Sequence, residues 1–183
     1  MSKLSLITNV LHYLLLLISM VVYLVYPDIL PFIIVFSYFL TILILKSLFK
    51  LETKETFLVV LSCYLCLFGQ QFIFGLYTKI SFYDKLLHFI ILFFIGVILS
   101  KRMIGKDSKI FIYTITLFAI LGIASSWEIY EYLYDIVRSS NMQGVFNVDG
   151  SLIMEKLEDT FSDLIIGVFG AISSLIYRFW RVK

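Results

Sequence analysis

Three stretches of the chain carry side chains able to do chemistry, each at a spacing that gathers them on one face of a helix. Asp84 and His88 are four residues apart. Glu128, Glu131 and Asp135 follow at spacings of three and four, and Asp159 and Asp163 are again four apart. Residues three and four apart are neighbours on a helix, so each stretch presents a small group of carboxylates, one of them beside an imidazole. These ligand types suit Zn, Mn, Fe or Mg, with hard oxygen donors favouring the later members. A divalent metal cation there would relieve the repulsion among the acids and polarise a bound water or a phosphate oxygen. The candidate metal ligands are Asp84, His88, Glu128, Glu131, Asp159 and Asp163. The candidate catalytic groups are His88, Glu128 and Glu131. Lys85 is the one obvious base nearby. His12 has no acidic company and reads as structural. Cys63 and Cys66 have a spacing open to metal or redox use, but they lie in the apolar run Leu58–Phe68 and read as packing residues.

These groups sit in a chain built for lipid. Of its 183 residues 61% are hydrophobic and 15% charged, with a mean hydropathy of +0.98. A soluble domain carries about 25% charged residues, so much of this surface must face hydrocarbon. A net charge of +2 and the lack of a separate basic block argue against a nucleic-acid partner; the expected partners are membrane lipid and a lipid-linked small molecule. Lys3 followed by Val10–Tyr26 superficially resembles a signal peptide, but the apolar stretch is too long and no small-residue cleavage site follows. A span takes about 20 mainly apolar residues. The expectation is a single all-α transmembrane domain, a polytopic helical bundle of about six spans: 6–26, 30–48, 57–77, 83–100, 110–137 and 158–180. Pro27-Asp28 ends the first, and Pro31 stands in the first turn of the second, where a missing N–H costs nothing. The one long connection, Arg138–Leu157, holds Gly144, Asn147, Asp149 and Gly150.

Lys and Arg near span ends set orientation. With the N-terminus inside, the inner side holds Lys3, Lys46, Lys50, Lys54, Lys101, Arg102, Lys106, Lys109, Arg178, Arg181 and Lys183. The outer side holds only Lys79, Lys85, Arg138 and Lys156. The expectation is N-in and C-in. The acids run the other way: Asp84, Glu128, Glu131, Asp135, Asp159 and Asp163 stand at outer span ends, with Asp28, Asp149, Glu155 and Glu158 in outer loops, against Glu52, Glu55 and Asp107 inside. Gln70 and Gln71 add polarity near the outer level.

Each polar stripe continues inward through small or hydroxyl residues: Gly96 and Ser100 below His88, Ala124 below Glu128, and Gly167, Gly170 and Ser174 below Asp163. Small residues mark helix contacts in membranes, so these faces are expected to meet. Asp84 and Asp159, at helix N-termini, have capping as an alternative reading. The acids of the fifth span stand at a helix C-terminus, where the dipole disfavours negative charge; interfacial solvation is their alternative. Trp127, Tyr130, Tyr132 and Tyr134 read as an aromatic belt at headgroup level.

The function expected is an outward-facing acidic and histidine site that binds a divalent cation, extending to a metal-dependent hydrolase or transferase acting on a lipid-linked or envelope substrate. Two alternatives stay open. One is a proton- or cation-coupled transporter, which calls for ionisable groups at the midplane; the first two spans carry almost none. The other is a non-enzymatic envelope-stress or immunity-type protein using the acidic face to bind a partner. The location expected is a bacterial or archaeal plasma membrane.

The pieces Tyr83-Asp84-Lys85-x-x-His88-Phe89, Glu128-x-x-Glu131 and Asp159-Thr160-x-x-Asp163, in that order, resemble the pattern of YjdF-type inner-membrane proteins and, more distantly, of VanZ-like proteins. The resemblance covers roughly the C-terminal half. Where YjdF-type chains carry a Gly-rich Asp-Pro-Trp-Asp-Thr run, this chain reads Asp149-Gly150-Ser151 and then Leu157-Glu158-Asp159-Thr160. The resemblance implies no established reaction; the link of VanZ-like proteins to glycopeptide tolerance implies a place in the cell envelope.

Overall fold

The computed structural model describes residues 2–26, 29–70, 72–103, 108–138, 143–146 and 149–181. Pro27, Asp28, Gln71, Lys106, Asp107, Asn147 and Lys183 lie outside them, as do the side chains of Arg138 and Arg181. The elements are α1 (Lys3–Val25), α2 (Ile29–Phe49), α3 (Thr53–Gly69), α4 (Leu76–Lys79), α5 (Tyr83–Met103), α6 (Lys109–Arg138), β1 (Val145–Phe146), β2 (Leu152–Met154) and α7 (Lys156–Arg181). Among the described residues the fold is all-α apart from this two-stranded hairpin, and five helices, α1, α2, α5, α6 and α7, are long and apolar enough to cross a membrane. Their ends fall within a few residues of those expected. The chain divides into two compact units, Met1–Phe74 and Gly75–Lys183.

In the first unit α1 and α2 are antiparallel. His12 packs on Phe39, with ring centroids 4.7 Å apart, and Tyr23 on Phe32, so the partner number falls as the α1 number rises. The core is Leu15, Val22, Val35, Phe39, Ile42, Val60, Cys63, Tyr64 and Leu67. Polar groups here are satisfied locally, as a lipid environment demands. Thr8 and Ser19 donate back to the Leu4 and Leu16 carbonyls. His12 Nε2 meets the Phe39 carbonyl at 3.2 Å, in keeping with a structural histidine. Cys63 is buried in this core, and neither Cys63 nor Cys66 is in a disulfide.

The third helix differs from its expected span, 57–77. It begins earlier, at Thr53, because Glu52 and Glu55 form a reciprocal capping box, with Glu52 N–H donating to Glu55 Oε2 at 2.9 Å. It ends earlier, at Gly69, because Gln70 adopts an extended ψ of 138°. At 17 residues it stands at the lower limit for a span, about 26 Å. Tyr64 Oη donates to the Leu11 carbonyl and Tyr26 Oη to the Phe72 carbonyl, so α3 runs parallel to α1.

In the second unit α5 and α7 run parallel in close contact, with α6 antiparallel to both. A Cβ built on Gly170 would lie 2.4 Å from the Phe89 carbonyl oxygen, and one on Gly167 would lie 2.5 Å from Leu92 Cδ1. The absence of side chains at these two positions lets the α5 backbone approach α7. Beneath the polar stripes lies an apolar layer of Leu92, Ile120, Ala124 and Ala171. Ser100 and Ser174, further along, donate to the carbonyls of their own helices. Substitution Gly170→Ala is expected to force two helix backbones apart, costing about 1–3 kcal/mol. Gly122, with nothing within 4 Å of its built Cβ, is the control: Gly122→Ala should leave the thermal midpoint in detergent unchanged or raise it. Equal midpoints for the two variants would contradict the close contact.

Candidate functional site

The three stripes meet. His88, Glu128, Glu131, Asp135, Asp159 and Asp163 are all buried, and only Asp84 retains appreciable exposure, its side chain 26% accessible. Parallel α5 and α7 bring the first turns of both helices to one level. Antiparallel α6 brings its last turns to the same level. The side chains expected to face one another do so.

Lys85 lies at the centre. Its Nζ donates to Asp159 Oδ1 and to Asp163 Oδ2 at 2.8 Å, with Asp84 Oδ2 at 3.8 Å. Asp159 Oδ2 accepts from the Gly144 N–H at 2.8 Å. Its partners thus lie on α5 and on the segment before β1, which replaces the capping reading for Asp159. Asp135 accepts from Lys156 Nζ at 2.8 Å and from the Gln143 N–H at 3.2 Å. The Gln143 amide also donates to the Glu128 carbonyl and to Thr160 Oγ1 at 3.1 Å. Glu131 Oε1 accepts from Trp127 Nε1 at 2.7 Å. Trp127 therefore does more than sit in a belt, although Trp127, Tyr130 and Tyr132 are exposed as belt residues are.

Asp163, although bonded by Lys85, also belongs to a second group among the described residues. Ligand atoms of Asp84, His88 and Asp163 lie within 4.8 Å of one another. His88 Nε2 is 3.9 Å from Asp84 Oδ2 and 3.7 Å from Glu128 Oε1. Both Glu128 carboxylate oxygens are buried and accept no hydrogen bond of normal geometry among the described residues. A buried carboxylate without a donor is costly, so this is where the cluster is incomplete. Of the six expected metal ligands, three share the group and Glu128 adjoins it, while Glu131 and Asp159 are engaged by Trp127 and by Lys85 and Gly144.

Gln143, Gly144 and Lys156 were not legible as site residues. They lie in or beside an aperiodic loop, closed by the antiparallel pairing of Val145 with Met154. Gly144 takes φ +89°, a conformation that favours glycine, and its N–H is directed at Asp159. Asp149, outside the helices, accepts from the backbone and side chain of Ser151 at 2.9 and 2.7 Å. Those bonds hold its carboxyl below the usual range.

Long apolar helices enclosing a buried, convergent set of carboxylates define a multi-pass α-helical membrane protein. The chain belongs to the family described as "Predicted membrane protein (DUF2238)", whose model matches residues 6–183. That match takes in the first two spans as well as the polar half. No curated protein and no solved structure matches the chain.

Proposed function

We propose that this protein binds a divalent cation through Asp84, His88 and Asp163 on the outer side of the plasma membrane, and uses it for hydrolysis or group transfer on a lipid-linked or envelope substrate. The observation that carries this reading is the group of three ligand atoms within 4.8 Å, beside a buried Glu128 that accepts no hydrogen bond of normal geometry among the described residues. A cation with ligands at about 2.0–2.3 Å spaces them roughly 3–4.5 Å apart, so small side-chain shifts would suffice. Bound there, the cation would supply charge neutralisation and Lewis acidity. Asp84, the most accessible of the three, would leave the way in for substrate. The apolar layer of Leu92, Ile120, Ala124 and Ala171 favours a one-sided site over a transport path. The closer kinship to YjdF-type proteins and the envelope location belong to the same proposal.

Elemental analysis of detergent-purified protein tests it. Near-stoichiometric metal is expected in wild type and in Glu131→Gln, and little in His88→Ala. Metal absent from all three, after growth and purification with Mn and Zn supplied, would count against the reading.

Orientation is tested separately. An impermeant thiol reagent applied to intact cells is expected to label Lys156→Cys and Asp149→Cys, and to reach Lys54→Cys only after permeabilisation. Labelling of all three without permeabilisation would overturn N-in, C-in.

A further inference from the structure

We infer that the end of α5, α6 and α7 remote from the acids binds the headgroup of an anionic phospholipid, with Arg178 holding its phosphodiester. The contact face of α7 leads there. Gly167 and Gly170 meet α5 at Leu92 and Phe89, and Ser174 meets Gly96, on which a Cβ would overlap the serine Oγ. Arg178 stands one turn beyond Ser174 on that same face, since residues four apart are neighbours on a helix. The matching position on α5, one turn beyond Gly96, is Ser100, fully buried like Ser174. Ile120 of α6 also reaches Gly96, and one turn nearer the start of α6 lies Thr116, again fully buried. Arg178 thus tops a contact among three helices and does not lie on a lipid-facing flank. It is half-buried, and its Nε is buried and donates to no described residue.

Charge at this end is one-sided. Residues 101–109 and 178–183 hold seven Lys or Arg and one acid, Asp107. Lys101 and Arg102 close α5 and Lys109 opens α6, so the antiparallel course of α6 brings them to one level. Membrane insertion favours Lys and Arg at inner span ends, which accounts for the excess but not for an arginine on a helix-contact face. A guanidinium presents parallel N–H donors that match the two free oxygens of a phosphodiester. A turn of the Arg178 side chain would bring its Nε–H into that fork. A zwitterionic lipid carries an ammonium of its own into this field of cations. An anionic lipid does not, and each Lys or Arg near the surface adds to its hold. Depth agrees, because Tyr177 and Trp180 are exposed and of the types that sit at headgroup level. With the N-terminus inside, this end faces the inner leaflet.

The chain has two tryptophans, Trp180 at this end and Trp127 at the acidic end, so quenching by brominated lipid reads the two ends apart. Full-length Trp127→Phe protein is placed in phosphatidylcholine nanodiscs carrying either brominated phosphatidylglycerol or brominated phosphatidylcholine. Trp180 is expected to be quenched by the phosphatidylglycerol at a mole fraction about tenfold lower, the scale of one or two cations at a lipid surface. Adding Arg178→Gln should cut that preference about fivefold. Lys54→Gln, an equal loss of charge in the first unit, should leave it unchanged. Equal quenching by the two lipids, or equal effects of Arg178→Gln and Lys54→Gln, overturns the inference. So does a preference of the same size at Trp127 in Trp180→Phe protein. Wild type, which keeps both tryptophans, must also be quenched more by the phosphatidylglycerol, and this comparison decides even where a variant does not fold.

Discussion

Lys85→Met is expected to destabilise the protein by about 3–5 kcal/mol, the scale of removing one partner from a buried ion pair. Lys85 is 9% exposed. Its Nζ donates to Asp159 and lies 2.8 Å from Asp163, which is fully buried. Methionine keeps much of the volume of the stem and removes the charge, leaving two adjacent carboxylates to repel each other. The loss should appear as a lowered unfolding midpoint in detergent. Lys85→Met combined with Asp159→Asn should recover part of it, because the remaining acid then has no charged neighbour on its own helix turn. Because the bare carboxylates form a stronger cation site, added Mn2+ should raise the midpoint of Lys85→Met more than that of wild type. A single variant with an unchanged midpoint would mean that Lys85 does not hold α5 to α7.

The second large effect concerns affinity. Asp163→Asn is expected to weaken Mn2+ binding by at least about 100-fold, more than the 10–100-fold typical of groups that only support a ligand. The amide keeps the shape of the side chain and removes its charge, and the Lys85–Asp159 bond still ties α5 to α7. Glu131→Gln should change affinity little, since Glu131 is occupied by Trp127. Comparable losses in the two variants would return Glu131 to the ligand set and enlarge the site toward the six residues expected from spacing.

Much of the site was legible because few physical solutions exist for carboxylates in apolar helices. Asp159, Asp163, Gly167 and Gly170 share a face by spacing alone, and a lipid-exposed acid there would be costly, so that face had to meet other polar faces. It does, with Lys85, His88 and Glu128. Pairwise partners were less legible. Lys85 is next to Asp84 in sequence, yet it bonds to Asp159 and Asp163, because a long flexible stem lets the charge reach another helix. Gln143 and Gly144 had no periodicity to mark them, and their roles come from where the hairpin folds back. The end of α3 was hidden for another reason. Hydropathy continues through Phe72–Leu76 and extends the apolar window, whereas the helix stops where Gln70 turns extended and Gly75 takes φ +63°. A period-based reading registers composition, and a single backbone dihedral leaves no trace in it.

Glu128 links the two levels. Spacing marked it as an acid set against the dipole of its own helix, and both of its buried oxygens lack a hydrogen bond of normal geometry among the described residues. Asp84, His88 and Asp163 are brought together around the same space. The most direct test of the account is titration of Mn2+ into purified full-length protein, followed by electron paramagnetic resonance of the free ion. One saturable site is expected in wild type and in Glu131→Gln, lost or greatly weakened in His88→Ala and Asp163→Asn. Wild-type protein that leaves all added Mn2+ free, or binds it equally after both of those changes, would contradict it.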